Sequence, residues 1–182
     1  MRVIKTAIPE VLILEPTVFS DARGFFYESF NQQVFNRLTG LDVQFVQDNH
    51  SYSTRGVLRG LHYQIEHPQG KLVRVVQGRI YDVTVDLRKT SPTFSKWIGV
   101  ELSAENFRQL WIPPGFAHGF IVMSDHADVL YKTTDYYYPQ HKRSLRWDDA
   151  DLAIDWPPAT TPVLSSGDEN AGTLRQFAAG DM

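Results

Sequence analysis

The sequence predicts an all-β chain, an antiparallel sandwich or barrel such as a jelly roll with a few short helices, and three observations carry that expectation. Short runs rich in Val, Ile, Phe and Tyr recur at roughly ten-residue spacing, separated by Pro, Gly, Asp and Asn, which is the punctuation of strands. Convincing helical periodicity in the first half is confined to one brief stretch after Asn31. Further on, Tyr81, Val83, Val85 and Leu87 alternate with Asp82, Thr84 and Asp86, the period of a half-buried strand. A parallel α/β sheet, which needs helices between its strands, is disfavoured.

In chain order, residues 11–14 form a short apolar run ended by Pro16, and residues 24–29 follow a turn between Asp21 and Gly24, so both read as strands, the second flanked by Arg23 and Glu28. Asn31 can cap a helix whose Val34, Phe35 and Leu38 share one face and which Gly40 can end. Strands are expected at 43–49 and 57–64, then a hairpin of 71–77 and 79–87 turning at Gln77-Gly78. Further strands are expected at 94–102, 107–112, 118–123 and 129–135. After Pro157-Pro158 the composition turns to Ser, Gly, Asp and Asn, and residues 168–177 suit a small C-terminal helix or cover.

The 182 residues suit one domain, and 42% hydrophobic with 21% charged residues is the make-up of an ordinary globular chain. A formal net charge of -3 predicts no general attraction to nucleic acid or anionic membranes, so an anionic ligand must be met by particular residues. The absence of cysteine excludes disulfides, thiolate metal sites and a cysteine nucleophile. Residues 1–9 lack the apolar centre of a signal peptide, and no run approaches membrane-spanning length, so a cytoplasmic protein is expected.

The stretch 57–64 puts a cation, Arg59, and an imidazole, His62, on an apolar strand pattern. Strict alternation would point Arg59, Leu61 and Tyr63 one way and Gly60, His62 and Gln64 the other, with Gly60 leaving room for a ligand. His62 is the candidate proton carrier, because imidazole titrates nearest neutrality. Lys71, after the turn-like His67-Pro68-Gln69-Gly70, can steady an oxyanion if it faces the barrel mouth. Tyr131 offers a phenol that can give or take a proton, and Tyr136-Tyr137-Tyr138 offer faces for stacking. Asp168, in Ser166-Gly167-Asp168-Glu169, has by itself the pattern of a helix N-cap.

Pro113-Pro114-Gly115-Phe116-Ala117-His118 has the Pro-x-Gly-x-x-His spacing of the second cupin motif, so the chain resembles the cupin superfamily of jelly-roll barrels. The first cupin motif is matched in part: His62 fills one ligand position, but Gln64 stands where a second ligand is expected. Two histidines without further ligands make a weak metal site, and no metal or other cofactor is expected.

Phe25-Phe26-Tyr27-Glu28, Gln47-Asp48-Asn49-His50, Leu58-Arg59-Gly60-Leu61-His62, Lys71-Leu72-Val73-Arg74 and the proline-glycine-histidine turn, all in order, resemble the dTDP-4-dehydrorhamnose 3,5-epimerase family. The resemblance implies a metal-free cupin-type isomerase acting on dTDP-4-keto-6-deoxyglucose, in the pathway to dTDP-L-rhamnose. It implies that His62 is the base, oriented by Asp168, that Lys71 steadies the enolate oxygen, and that Tyr131 is the acid on the other face. Arg23 and Arg59 would hold the diphosphate, Glu28, Gln47 and Asn49 the thymidine part, and Asp48 would be a further substrate-binding residue. His118 would touch the sugar, and Phe19 and Tyr137 would stack on thymine. The resemblance also implies a homodimer in which the strand carrying Arg23 and Glu28 reaches into the neighbour's site. Two departures stand out: Gly167 where relatives often have lysine, and a basic segment 140–143 where they often carry an acid. The competing expectations are an epimerase of one centre only, a metal-dependent cupin oxygenase, and a cupin that merely binds a sugar nucleotide.

Overall fold

The alternation of short apolar runs and turns becomes thirteen strands in the computed structural model, which describes residues 1–157 and 161–180, leaving Pro158 of the expected boundary outside the described residues. In chain order the strands are β1 (Arg2–Lys5), β2 (Leu12–Glu15), β3 (Phe19–Asp21), β4 (Gly24–Phe26), β5 (Gln47–Thr54), β6 (Leu58–Gln64), β7 (Lys71–Gln77), β8 (Arg79–Asp86), β9 (Trp97–Ser103), β10 (Gln109–Ile112), β11 (Phe116–Val122), β12 (His126–Thr133) and β13 (Lys142–Ser144). A six-stranded sheet runs β1-β2-β10-β7-β12-β5 and a five-stranded sheet runs β13-β6-β11-β8-β9, while β3 and β4 pair only with each other. All of these ladders are antiparallel, as a jelly roll requires.

Strand periodicity divides the apolar residues among three cores. Between the sheets lie Val73, Val75, Leu110, Ile112 and Val129 from one and Ile80, Ile98, Leu102, Phe116 and Phe120 from the other. On the outer face of the five-stranded sheet, Leu61, Tyr63, Val83 and Val85 are covered by Leu145, Leu152 and Leu174, which brings the C-terminal segment against β6. On the outer face of the six-stranded sheet, Leu12, Leu14, Leu72 and Trp111 are covered by Phe35 of α1 (Gln32–Thr39). Burying each such side chain stabilises the fold by about 1.5–3 kcal/mol.

The helix α1 is built as its sequence dictates. Asn31 accepts hydrogen bonds from the backbone N–H groups of Gln33 and Val34, both at 3.1 Å, and Gly40 ends the helix at φ 72°, a conformation glycine adopts without strain. Phe35 sits edge-on to Trp111, ring centroids 5.3 Å apart, which fastens the helix to β10.

Several expectations need correction. Residues 71–77 and 79–87 do not form a hairpin: β7 pairs with β10 and β12, β8 with β9 and β11, and Gly78 at φ 77° carries the chain from one sheet to the other. The strand expected at 43–49 begins only at Gln47 and runs to Thr54, because it is the edge partner of the whole of β12. The strand expected at 24–29 ends at Phe26, and β1, β3 and β13 were not foreseen from sequence. The strand β8 is not half-buried: its polar side faces the barrel interior, and Asp82, Thr84 and Asp86 are all 0% exposed. Gly60 does not make room for a ligand; a Cβ there would stand 2.5 Å from the Cα of Gly119, so the pair lets β6 and β11 approach.

Candidate active site

The polar groups singled out by sequence converge because the two sheets turn particular faces inward. On β7, Lys71 shares its face with Val73 and Val75 of the inter-sheet core, and on β12 Tyr131 shares its face with Ala127 and Val129. The five-stranded sheet contributes His62 and His118, opposite each other in the β6–β11 ladder. These four side chains line one cavity of about 620 Å³, a size usual for small-molecule sites. His62 and His118 therefore look across at Lys71 and Tyr131 from the other sheet.

Arg59 also lines this cavity, against the expectation that it faces away from His62. The register of β6 against β11 slips by one residue between His62↔His118 and Arg59↔Phe120. The extra residue reverses the alternation, so an odd and an even position reach the same side. Arg59 Nε donates to Ser53 Oγ at 2.9 Å, which points its guanidinium along the interior side of β5.

His62 Nε2 lies 2.6 Å from Asp168 Oδ1. An ionised carboxylate only accepts, so Nε2 carries the hydrogen and Nδ1 keeps the lone pair. Asp168 is buried on α2 (Ser166–Glu169), yet it is not the cap: Ser165 caps the helix, and the Asp168 carboxylate is left to point at the imidazole. Burial pushes the Asp168 carboxyl up, but the His62 hydrogen bond and charge, with help from Ser165 and Lys142, outweigh it and hold it below the usual range. Burial pushes the His62 imidazole down against the pull of Asp168, and the ammonium groups of Lys142 and Lys71 add to that depression. A neutral base beside a carboxylate is the resulting state near neutral pH.

Lys71 is 8% exposed, and its Nζ donates to the His62 carbonyl at 3.4 Å, a link between the two sheets. Burial brings its ammonium down to about 8, with Asp82 opposing the fall and Lys142 adding to it. Asp82 is buried beneath both groups, with its two oxygens 3.0 and 2.9 Å from His118 Nε2. Burial raises its carboxyl, a rise that His118 and Lys71 oppose without overcoming. Tyr131 is raised chiefly by burial, so its phenol keeps its proton at neutral pH and is available as an acid.

Gln64, in the second ligand position of the cupin motif, is spent on structure. Its amide donates to the carbonyls of His67 at 2.7 Å and Tyr136 at 3.3 Å, and its oxygen accepts from Tyr138 N at 2.8 Å. That fixes the wall from which Tyr137 lines the cavity, and Gln47 accepts from Tyr137 N at 3.0 Å on the other side. Asn49 receives the Gln47 amide at 2.9 Å, yet Asn49 Nδ2 is buried without a partner among the described residues. Asp48 lies between them on the opposite face of β5, 73% exposed and paired with Lys132 at 2.8 Å.

The β3–β4 hairpin stands apart from this chain's cavity. Phe19, Phe25 and Phe26 are 64%, 61% and 74% exposed, and among the described residues Arg23 engages only its neighbour Asp21. Glu28 accepts from Asn31 Nδ2 at 3.2 Å. Ser51 and Lys142 are among the lining residues that the sequence reading did not name. Ser51, whose buried Oγ has no partner, follows from the interior alternation Gln47, Asn49, Ser51, Ser53; Lys142 sits on the short strand β13, which has no periodic signal.

An imidazole backed by a carboxylate, facing an ammonium and a phenol in a jelly-roll cavity, is the equipment of a proton-transferring isomerase of the cupin class. The family model for dTDP-4-dehydrorhamnose 3,5-epimerase matches residues 5–176, and the chain belongs to that family. A dTDP-4-dehydrorhamnose 3,5-epimerase of Pseudomonas aeruginosa is 56% identical over 181 residues, covering 100% of this chain and 98% of the relative. One from Shigella flexneri is 61% identical over 171 residues, 93% of this chain and 94% of the relative. The crystal structure of the Legionella pneumophila epimerase in complex with dTDP-4-keto-L-rhamnose superposes with a TM-score of 0.96 at 52% identity, covering 98% of this chain and 95% of that one. A 3'-monoepimerase of Streptomyces bikiniensis also superposes, with a TM-score of 0.91 at 36% identity over 99% of this chain and 91% of that one.

Proposed function

We propose that the protein epimerises carbons 3 and 5 of dTDP-4-dehydro-6-deoxy-D-glucose to give dTDP-4-dehydro-L-rhamnose. The observation that carries this reading is the placement of His62–Asp168 on one side of the cavity and of Lys71 and Tyr131 on the other. Carbons 3 and 5 both flank the ketone at carbon 4. When His62 Nδ1 takes a proton from either carbon, the bonding pair moves into the carbonyl and leaves an enolate oxygen. Asp168 stabilises the imidazolium that forms, and the Lys71 ammonium stabilises the oxyanion. Tyr131 then delivers a proton from the opposite face, which inverts the centre. No redox change occurs, and no metal is called on: His62 and His118 each have Nε2 engaged by a carboxylate, and Gln64 is bound to backbone.

Arg59 and, from a partner subunit, Arg23 take the diphosphate, matching guanidinium forks to phosphate oxygens. Gln47, Asn49 and the partner's Glu28 take the thymidine, for which the unpaired Asn49 Nδ2 is a ready donor. His118 meets the sugar, and Tyr137 with the partner's Phe19 stack on the base. The exposed hairpin with its three phenylalanines supports a homodimer of single-domain chains that exchange N-terminal strands. A cytoplasmic location fits a sugar-nucleotide isomerase, and no described helix is long and apolar enough to cross a membrane.

Incubation with dTDP-4-keto-6-deoxyglucose in deuterated water, followed by NMR, tests the reading. Deuterium at both carbon 3 and carbon 5, abolished by His62→Ala, is the expected result. Uptake at one carbon would make the protein a single-centre epimerase, and no uptake would remove the enzymatic assignment for this substrate.

A further inference from the structure

The strand β13 carries a charge into the cavity. It pairs antiparallel with β6, Lys142 opposite Gln64 and Ser144 opposite His62. Side chains two apart on a strand share a face, so Lys142 lies on the side that His62 and Gln64 present, and it lines the cavity. Its ammonium has no hydrogen-bond or ion-pair partner among the described residues. By contrast, Lys71 is tied to the His62 carbonyl and Arg59 to Ser53.

We propose that Lys142 is a positioning residue of this enzyme: its ammonium disfavours the imidazolium form of His62 beside Asp168, keeping Nδ1 unprotonated and open for the substrate carbon. The inference rests on the epimerase reading for its purpose, though not for its measurement. An imidazole 2.6 Å from a carboxylate is drawn toward the imidazolium form, which cannot act as a base. Something must oppose that pull. Asp168 from α2 meets His62 through their hydrogen bond. The titratable and charged groups that line the cavity with His62 are Lys71 from β7, Lys142 from β13, His118 from β11, Tyr131 from β12, Arg59 and Tyr63 on β6 itself, Arg88 and Lys89 after β8, and Tyr137. His118 is paired with Asp82, and Tyr131 is a neutral phenol. Lys142 therefore joins Lys71 as a cation set against the imidazolium, and its charge reaches His62, Asp168 and Lys71 alike. Lys142 is free to follow a ligand. A bound diphosphate would screen its ammonium, so His62 gains basicity as the substrate arrives.

The test is the titration of His62 by NMR in protein carrying 15N-labelled histidine, with no substrate present and the signal assigned by its loss in His62→Asn. In Lys142→Gln the titration is expected to move up by about half a pH unit, the effect of one unit charge through a partly solvated site. Lys142→Arg, which keeps the charge, is expected to titrate as wild type. In assays, the acid limb of kcat/KM should move up with the NMR titration. An unmoved His62 titration in folded Lys142→Gln overturns the proposal, even if KM rises, because Lys142 would then only bind. A wild-type protein without turnover would overturn the epimerase reading and leave the titration to decide on Lys142.

Discussion

His62 and Tyr131 line one cavity from opposite sheets, the imidazole on β6 and the phenol on β12. An acid and a base so placed can add and remove protons on the two faces of a planar enolate. Either group alone can only return a proton to the face it came from. Tyr131→Phe should therefore lower turnover by roughly 10²–10⁴-fold. His62 should still exchange the substrate's proton for deuterium, with retention of configuration. NMR in deuterated water separates exchange from inversion; loss of both together would show that Tyr131 is needed for proton removal itself.

The pH profile follows from the same four groups. On the proposed mechanism activity needs a neutral His62, which burial and two ammonium groups hold below the ordinary histidine value, so the acid limb should fall below about 6.5. The same mechanism needs a charged Lys71, which burial brings down to about 8, so kcat/KM should decline as pH rises through that value. Lys71→Met should remove the alkaline limb and cost about 10² or more in turnover, the usual loss for an oxyanion-stabilising group. An alkaline limb that persists in this variant would assign it to another residue.

How much of this site could be read in advance depended on whether its cause was local. The strand positions of His62, Lys71, His118 and Tyr131 were legible from local apolar patterns and from the proline-glycine turn before His118, whereas their roles came only from the family resemblance. Asp168 looked like a cap; that it reaches His62 depends on Ser165 taking the cap and on Leu174 docking on the outer face of β6. Arg59 was placed on the wrong face because a one-residue slip against β11 is invisible in the period of β6. The hairpin at Gly78 failed for the same kind of reason: two strands and a tight turn have the same local pattern whether the chain returns to its own sheet or crosses to the other. On β8, alternation was read correctly, but the polar face met a barrel interior instead of water, and Asp82 and Asp86 found partners there.

Asp86 carries that point into stability. Its buried carboxylate accepts from Arg88 Nη2 at 2.7 Å, Ser91 Oγ at 2.6 Å and Thr93 Oγ1 at 2.7 Å, which fastens the loop after β8. Burial pushes the carboxyl up, but these donors outweigh it and hold it well below the usual range. A depressed folded value means that the stabilisation is fully present above the unfolded value of about 3.9 and is lost as pH falls through the folded one. Asp86→Asn should cost about 2–4 kcal/mol in urea unfolding at pH 7, because it leaves Arg88 and two hydroxyls short of an acceptor. The gap between variant and wild type should narrow below about pH 3.9. A gap that stays constant into acid would show that the ionised form is not what holds the loop.

Arg23 and His62 provide the test of strand exchange, since Arg23 is 90% exposed at its side chain and engages nothing beyond Asp21 among the described residues of its own chain. If the hairpin serves the neighbour's cavity, Arg23→Ala and His62→Ala each inactivate a homodimer through different chains. In a mixed dimer, the Arg23→Ala chain keeps its own His62 and receives a native arginine from its partner. That one site is complete, while the other lacks both groups. Random mixing makes half of the dimers hybrid with one working site in two, so refolding the two inactive proteins together should restore about a quarter of wild-type turnover. If each arm serves its own barrel, no combination assembles a complete site, and the mixture stays as inactive as its components.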